Sequence, residues 1–203
     1  MFPNFEREQG LIKKGCSIIA GVDEVGRGPL AGPVTAAAVI LDPLNIPANL
    51  NDSKVLSSKK REKLFEELKF SSTFAVAHVS PEEIDKLNIL QATLLAMVNA
   101  VSNLKVKPNH ILIDGNKVPE RLFGRATAIV KGDRKVLSIA AASIIAKVTR
   151  DKLMRDLDSE FPIYGWAKNA GYPTKCHMNA IVKYGVTPHH RRSFKPVHNI
   201  LCR

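Results

Sequence analysis

The sequence predicts an α/β fold, a mixed β-sheet flanked by helices, with a basic C-terminal helical segment. Three observations carry that prediction. Apolar runs with strand-forming residues recur at 17–22, 34–41, 74–79, 110–113 and 126–130, the first two in succession and the later ones separated by helical patterns. The first, fourth and fifth runs each deliver a carboxylate at or just past their ends, as parallel strands do when their carboxyl ends gather at one ligand-binding edge. A chain of 203 residues, 45% of them apolar, can also bury its core as one domain spanning 1–203.

The elements follow in order. Ser17-Ile18-Ile19-Ala20-Gly21-Val22 leads into Asp23-Glu24 and then Gly26-Arg27-Gly28-Pro29. Residues 34–41 read as a buried strand stopped by Asp42-Pro43, and Ser57 or Ser58 caps a charged helix running to about Lys69. After the strand at 74–79, Ser80-Pro81-Glu82-Glu83 supplies an N-cap, a first-turn proline and a capping glutamate. Asn88 with Gln91 opens a longer amphipathic helix through Leu104. The strand from His110 ends in Asp114-Gly115, and that from Ala126 leads to Lys131-Gly132-Asp133. A long helix beginning near Leu137 is apolar on most sides but carries Ser143, Lys147 and Arg150 or Asp151 at helical spacing. One more helix is expected between Pro173 and Tyr184, and the remainder reads as a basic arm ending in His189-His190-Arg191-Arg192-Ser193-Phe194.

A net charge of +11 points to a polyanionic partner, and its distribution sharpens the point. Residues 161–203 hold no acidic side chain, seven Lys and Arg, all three tyrosines and the only tryptophan. Cations among aromatics suit a nucleic-acid backbone with stacking on sugars or bases. The polar stretch 1–10 has no apolar signal region, and no apolar run nears the ~20 residues a bilayer crossing needs, so a cytoplasmic location and no membrane association are expected. Cys16, Cys176 and Cys202 are too far apart for a zinc knuckle or a disulfide framework.

The adjacent carboxylates Asp23 and Glu24 suit a hard cation, which offsets their mutual repulsion and takes oxygen ligands. Neighbours on a regular strand point to opposite faces, so the pair serves one site only if the strand ends or bulges there; otherwise they are two solvated acids. Should the sheet bring Asp23, Glu24, Asp114 and Asp133 together, two Mg²⁺ or Mn²⁺ ions about 3.5–4 Å apart would make a phosphodiester-cleaving site of them.

The run Gly21-Val22-Asp23-Glu24-Val25-Gly26-Arg27-Gly28-Pro29-Leu30-Ala31-Gly32-Pro33 resembles the signature of bacterial ribonuclease HII, the type 2 ribonuclease H family. The resemblance continues in order through Asn51-Asp52-Ser53-Lys54, Leu87-Asn88-Ile89-Leu90, Ile113-Asp114-Gly115-Asn116, Lys131-Gly132-Asp133, 141–151, Gly171-Tyr172-Pro173-Thr174 and His190-Arg191-Arg192-Ser193-Phe194. It implies a ribonuclease H-like catalytic domain. The implied activity is endonucleolytic cleavage of RNA in RNA–DNA hybrids and on the 5′ side of single ribonucleotides in duplex DNA, leaving 3′-hydroxyl and 5′-phosphate ends. By the same resemblance Asp23, Glu24, Asp114 and Asp133 hold the two metals, with Asp151 the alternative fourth ligand. Gly26, Arg27 and Gly28 read the ribose, and Tyr172, or alternatively Tyr164, stacks on the sugar of the next deoxynucleotide. Lys54, Ser143 and Lys147 contact phosphates, and 161–203 is a substrate-binding segment. Type 3 relatives carry a threonine where Arg27 stands and a large N-terminal extension for which the early first strand leaves no room. A monomer is expected.

Two other classes compete. Gly26-x-Gly28-x-x-x-Gly32 after a strand, with Asp42 ending the next, imitates a dinucleotide-binding fingerprint, although Asp23 and Glu24 would repel a pyrophosphate. A non-catalytic nucleic-acid-binding protein explains the basic arm but not three acid-bearing strand ends.

Overall fold

Both faces of the sheet are covered, which is why its central strands read as unbroken apolar runs. The computed structural model describes residues 2–202. Its strands are β1 (Ile19–Val25), β2 (Val34–Leu41), β3 (Ser72–Val79), β4 (His110–Asp114) and β5 (Ala126–Ile129). Its α-helices are α1 (Glu6–Lys13), α2 (Ser58–Ser71), α3 (Pro81–Leu87), α4 (Ile89–Ser102), α5 (Leu137–Glu160), α6 (Trp166–Asn169), α7 (Lys175–Tyr184) and α8 (Lys195–Leu201). The strand order is β3-β2-β1-β4-β5. β1 pairs antiparallel with β2 and parallel with β4, so it is the seam between the two halves of a mixed sheet. This matches the expected fold class. The Gly26 loop leads into the antiparallel strand β2 and not into a helix, which removes the phosphate-binding helix a dinucleotide site requires.

Alternation along β2 divides the core. Ala36 and Ala38 pack under α4 with Val22, Ala96 and Met97, while Ala37, Val39 and Leu41 pack under α2 and α5 with Leu68, Ala141 and Ile145. Small side chains let α5 approach closely. At Gly21 the backbone of Ser138 and Ile139 fills the space a Cβ would need, so the start of α5 rests directly on β1.

The local start signals behave as expected. Ser80 and Glu83 form a complete capping box at α3 and Asn88 Oδ1 accepts the N–H groups of Leu90 and Gln91 at α4; Thr174, not foreseen as a cap, opens α7. α5 has no capping side chain at Val136. Its first turn is served by the buried carboxylate of Glu8, which accepts the Ser138 N–H at 2.9 Å. That contact explains why α1, unforeseen in the sequence, packs where it does.

The C-terminal segment is not an arm. Tyr164, Trp166, Ile181 and Val197 form a core with Leu30, Ala31 and Met154. Asp85 of α3 accepts the N–H groups of Arg192 and Ser193, and α8 follows. The expectation that its aromatics are free for stacking is corrected for Tyr164 and Trp166, which are buried and stacked on each other with centroids 5.1 Å apart. They resolve a core that a basic, acid-free composition had concealed.

Candidate active site

Asp23 and Glu24 do point to opposite faces. Asp23 lies opposite Ala37 on the α5 face, and Glu24 lies opposite Ala36 on the α4 face. The expected strand end or bulge is absent, because the ladder with β2 runs unbroken from Gly21↔Val39 to Val25↔Thr35. What stops is the ladder on the other side, whose last rung pairs Val22 with Ile113 of β4. Beyond Val22 that edge of β1 is open, and both carboxylates reach it, one from each face. Asp114, the last residue of β4, meets them there. Oxygens of Asp23, Glu24 and Asp114 all lie within 4.8 Å of one another. Asp114 is aimed by the Gly132 N–H, which donates to its Oδ1 at 2.6 Å.

The electrostatics favour a cation. Burial pushes the Asp23 carboxyl well above the usual range, and the neighbouring Glu24 and Asp114 charges push it further, against the opposing pull of Ser143 and Lys54. Burial likewise raises Glu24; Arg27, whose Nη1 donates to Glu24 Oε1 at 3.3 Å, opposes this, and Asp114 adds to it. Glu24 Oε2 is buried with no hydrogen-bond partner among the described residues. Such an oxygen is costly to leave unpaired, and a divalent ion bound by three clustered carboxylates would satisfy it.

Asp133 stands outside that group of three. Its Oδ2 accepts from Lys54 Nζ at 3.2 Å, and burial and the Asp114 charge raise its pKa. Lys54 is held in turn by the buried Asp52, 3.7 Å away, which also binds Arg134 Nε at 3.1 Å. Burial alone would raise the Asp52 pKa, but the Lys54 N–H and the Lys54 and Arg134 charges bring it below the ordinary value. Asp52 is therefore an anionic anchor beside the cluster. Asp151, the alternative fourth ligand, pairs with Lys147 at 2.7 Å. Ser143 is buried behind Asp23 with its hydroxyl 2.8 Å from that of Ser53, so it has no open face for a phosphate.

The loop after β1 is clamped by two buried arginines that have no carboxylate partner among the described residues. Arg191 donates to the carbonyls of Gly26, Arg27 and Gly32, and Arg150 to those of Ala31, Pro33 and Ala170. Burial lowers their pKa values to about 9 and about 10. In a trans peptide the N–H opposes its C=O, so drawing the carbonyls of Gly26 and Arg27 inward turns the N–H groups of Arg27 and Gly28 outward. Tyr172 stands over this loop: a Cβ on Gly28 would lie 3.3 Å from its ring. The Tyr172 side chain is open, whereas Tyr164 is buried and donates to the Gly185 carbonyl, which removes it as the alternative stacking residue.

The sequence reading missed the roles of Arg150, Arg191 and Asp52. The available signal was indirect: a proline- and glycine-rich loop has many carbonyls that need donors, and Arg150 lies on α5 just past its apolar stretch 139–146.

A mixed sheet of this order, with carboxylates converging at its antiparallel–parallel seam, defines an α/β nuclease of the ribonuclease H fold. A family model described as Ribonuclease HII matches residues 20–197. The chain is 57% identical over 200 residues to the ribonuclease HII of Ruegeria sp. (strain TM1040), covering 98% of this chain and 87% of that one. It is also 57% identical to the ribonuclease HII of Magnetococcus marinus over 203 residues, covering 98% and 95%. The crystal structure of the ribonuclease H2 from Pyrococcus horikoshii OT3 superposes with a TM-score of 0.77 at 31% identity, over 90% of this chain and 96% of that one. The chain belongs to the ribonuclease HII family and is a metal-dependent endoribonuclease. Among the described residues no helix is long and apolar enough to cross a membrane.

Proposed function

We propose that its endoribonuclease action on the RNA strand of RNA–DNA hybrids extends to single ribonucleotides embedded in duplex DNA, cut on their 5′ side to leave 3′-hydroxyl and 5′-phosphate ends. Asp23, Glu24 and Asp114 hold divalent ions, Mg²⁺ or Mn²⁺, and Asp133 completes the set once Lys54 releases it. Two such ions supply Lewis acidity for water attack and for the departing 3′-oxygen. The protein's own groups do the rest. Ser143 orients Asp23, and Asp52 keeps Lys54 at the rim, where it and Lys147 meet phosphates. The outward N–H groups at Arg27 and Gly28, with the Gly26 turn, approach the 2′-hydroxyl, which alone distinguishes the ribose from its neighbours. Tyr172 packs on the sugar of the following deoxynucleotide. The basic surface of 161–203 holds the backbone through its exposed cations. A cytoplasmic monomer completes the reading.

The observation that carries this proposal is the triple carboxylate cluster with its unpartnered Glu24 oxygen, one loop away from an open tyrosine. The test is a labelled DNA duplex carrying one ribonucleotide, incubated with Mg²⁺, Mn²⁺ or EDTA beside an all-DNA control. A single metal-dependent cut 5′ to the ribonucleotide is expected. Cleavage of the control, or cleavage in EDTA, would overturn the proposal; binding without cutting would favour the non-catalytic reading.

A further inference from the structure

Behind the site lies a buried pair of imidazoles that the chemistry above does not use. His177 and His190 are both essentially inaccessible, and their Nε2 atoms are 3.2 Å apart. Their proton positions follow from their partners. The indole N–H of Trp166 can only donate, and it points at His177 Nε2 at 3.0 Å, so that nitrogen accepts. The His177 proton is then on Nδ1, 2.9 Å from the Tyr172 carbonyl, which can only accept. The Thr187 N–H donates to His190 Nδ1 at 3.0 Å, which leaves the His190 proton on Nε2, directed at His177. With both rings neutral and in these tautomers, the Trp166 N–H and the His190 Nε2–H share the lone pair of His177 Nε2, and the Thr187 backbone N–H meets His190 Nδ1.

The chain ends at the backbone of Tyr172. On one side of that residue the preceding segment is tied to the Gly-rich loop, because Arg150 bonds Ala170 and the Leu30 N–H donates to the Gly171 carbonyl at 2.7 Å. On the other side the Tyr172 carbonyl accepts the local Thr174 N–H at 2.8 Å and the His177 imidazole. The Thr174 bond closes a turn within the segment and can move with it. Among the described residues the His177 bond is the one that ties this carbonyl to the buried core, while the Tyr172 N–H is held by the Asn169 carbonyl at 2.9 Å. We propose that His177 is a positioning residue for Tyr172: its Nδ1–H, oriented by Trp166 and His190, fixes the ring over Gly28 and so sets the preference for an RNA-to-DNA junction. This rests on the reading of Tyr172 as the residue that packs on the deoxynucleotide sugar.

Two near-isosteric substitutions separate positioning from packing. Asparagine at 177 places an amide N–H where Nδ1 stands and keeps the Tyr172 bond; glutamine reaches the Nε2 position, keeping an acceptor for Trp166 and His190 but losing Tyr172. The readout is the ratio of kcat/KM on a single embedded ribonucleotide to that on a continuous RNA–DNA hybrid, with Tyr172→Ala as the reference. His177→Gln is expected to lower the ratio about 5- to 10-fold, the scale of one neutral hydrogen bond, while His177→Asn stays within about 2-fold of wild type. A Mn²⁺-induced rise in melting temperature equal to that of wild type in both variants shows the carboxylates intact. If Tyr172→Ala lowers the ratio and His177→Gln does not, or if both His177 variants lower it equally, the positioning role is overturned while Tyr172 keeps its place. If Tyr172→Ala itself leaves the ratio unchanged, the reading of Tyr172 falls and the proposal with it. Should either variant fail to fold, ¹⁵N spectra of the wild-type imidazoles decide: a proton on His177 Nε2 at neutral pH overturns the proposal, and one on Nδ1 supports it.

Discussion

Replacing Asp23 by asparagine is expected to make the metal-free protein more stable while removing its response to metal. Asp23 is buried, and oxygens of Glu24 and Asp114 lie within 4.8 Å of its own. Two unit charges at that distance repel by about 3.5 kcal/mol at an effective dielectric of 20 and by about 0.9 kcal/mol in bulk water. Asp23 faces two such neighbours, but the Ser143 hydrogen bond and the Lys54 charge already relieve part of the strain. Asparagine keeps an acceptor for the Glu24 N–H, which bonds Asp23 Oδ1 at 2.8 Å, so little is lost in exchange. A net gain of about 1–3 kcal/mol follows. For a chain of this size 2 kcal/mol raises Tm by about 4–8 °C. The assay is thermal unfolding followed by circular dichroism near pH 7.5, first in EDTA and then with Mn²⁺. Wild type gains stability as RT ln(1 + [L]/Kd), about 2.7 kcal/mol at a hundredfold excess over Kd, and the variant does not. A variant that melts below wild type in EDTA would refute the claim that uncompensated repulsion dominates this site. An undiminished Mn²⁺ response would take Asp23 out of the ligand set.

Three further outcomes are expected. Arg27→Ala should reduce cleavage at single ribonucleotides while leaving the Mn²⁺-induced Tm shift in place; equal cleavage of that substrate would sink its role in reading the junction. Arg191→Ala strips the donors from three loop carbonyls and should destabilise by more than about 3 kcal/mol in urea unfolding, with Arg191→Lys only a partial rescue because an ammonium lacks the planar fork; a loss under about 1 kcal/mol would show that the clamp is dispensable. His190, buried beside His177 and His189, titrates near 4 in the fold against about 6.5 when unfolded. The unfolded chain therefore takes up the proton first, and the His190 contribution is intact above about pH 6.5 and falls by up to about 3 kcal/mol toward pH 4. The raised site carboxylates act with the opposite sign, so wild type is compared with His190→Gln by urea unfolding at pH 7.5 and 5.0. Parallel pH profiles for the two would refute this assignment.

What could be read from the chain alone was what neighbouring residues decide together. Ser80 with Glu83 and Asn88 with Gln91 act over two or three positions, so those caps and the helices they open were legible. The strands were legible because both sheet faces are covered and the apolar runs are continuous. The acids at their ends were legible as chemistry, as was the Gly-Arg-Gly turn. Convergence was a matter for the tertiary structure. Asp23 and Glu24 meet at one edge because the β4 ladder stops at Val22, a register set between segments some ninety positions apart. The α5 cap comes from Glu8 across 130 positions, and the carbonyls of the Gly-rich loop find their donors on α5 and near the C-terminus. Buried arginines, a core tryptophan and a tautomer-locked histidine pair have the same composition as a solvated basic arm. Only the packing of 161–202 against the loop at 26–33 distinguishes them, because burial is a property of what surrounds a side chain and not of the side chain itself.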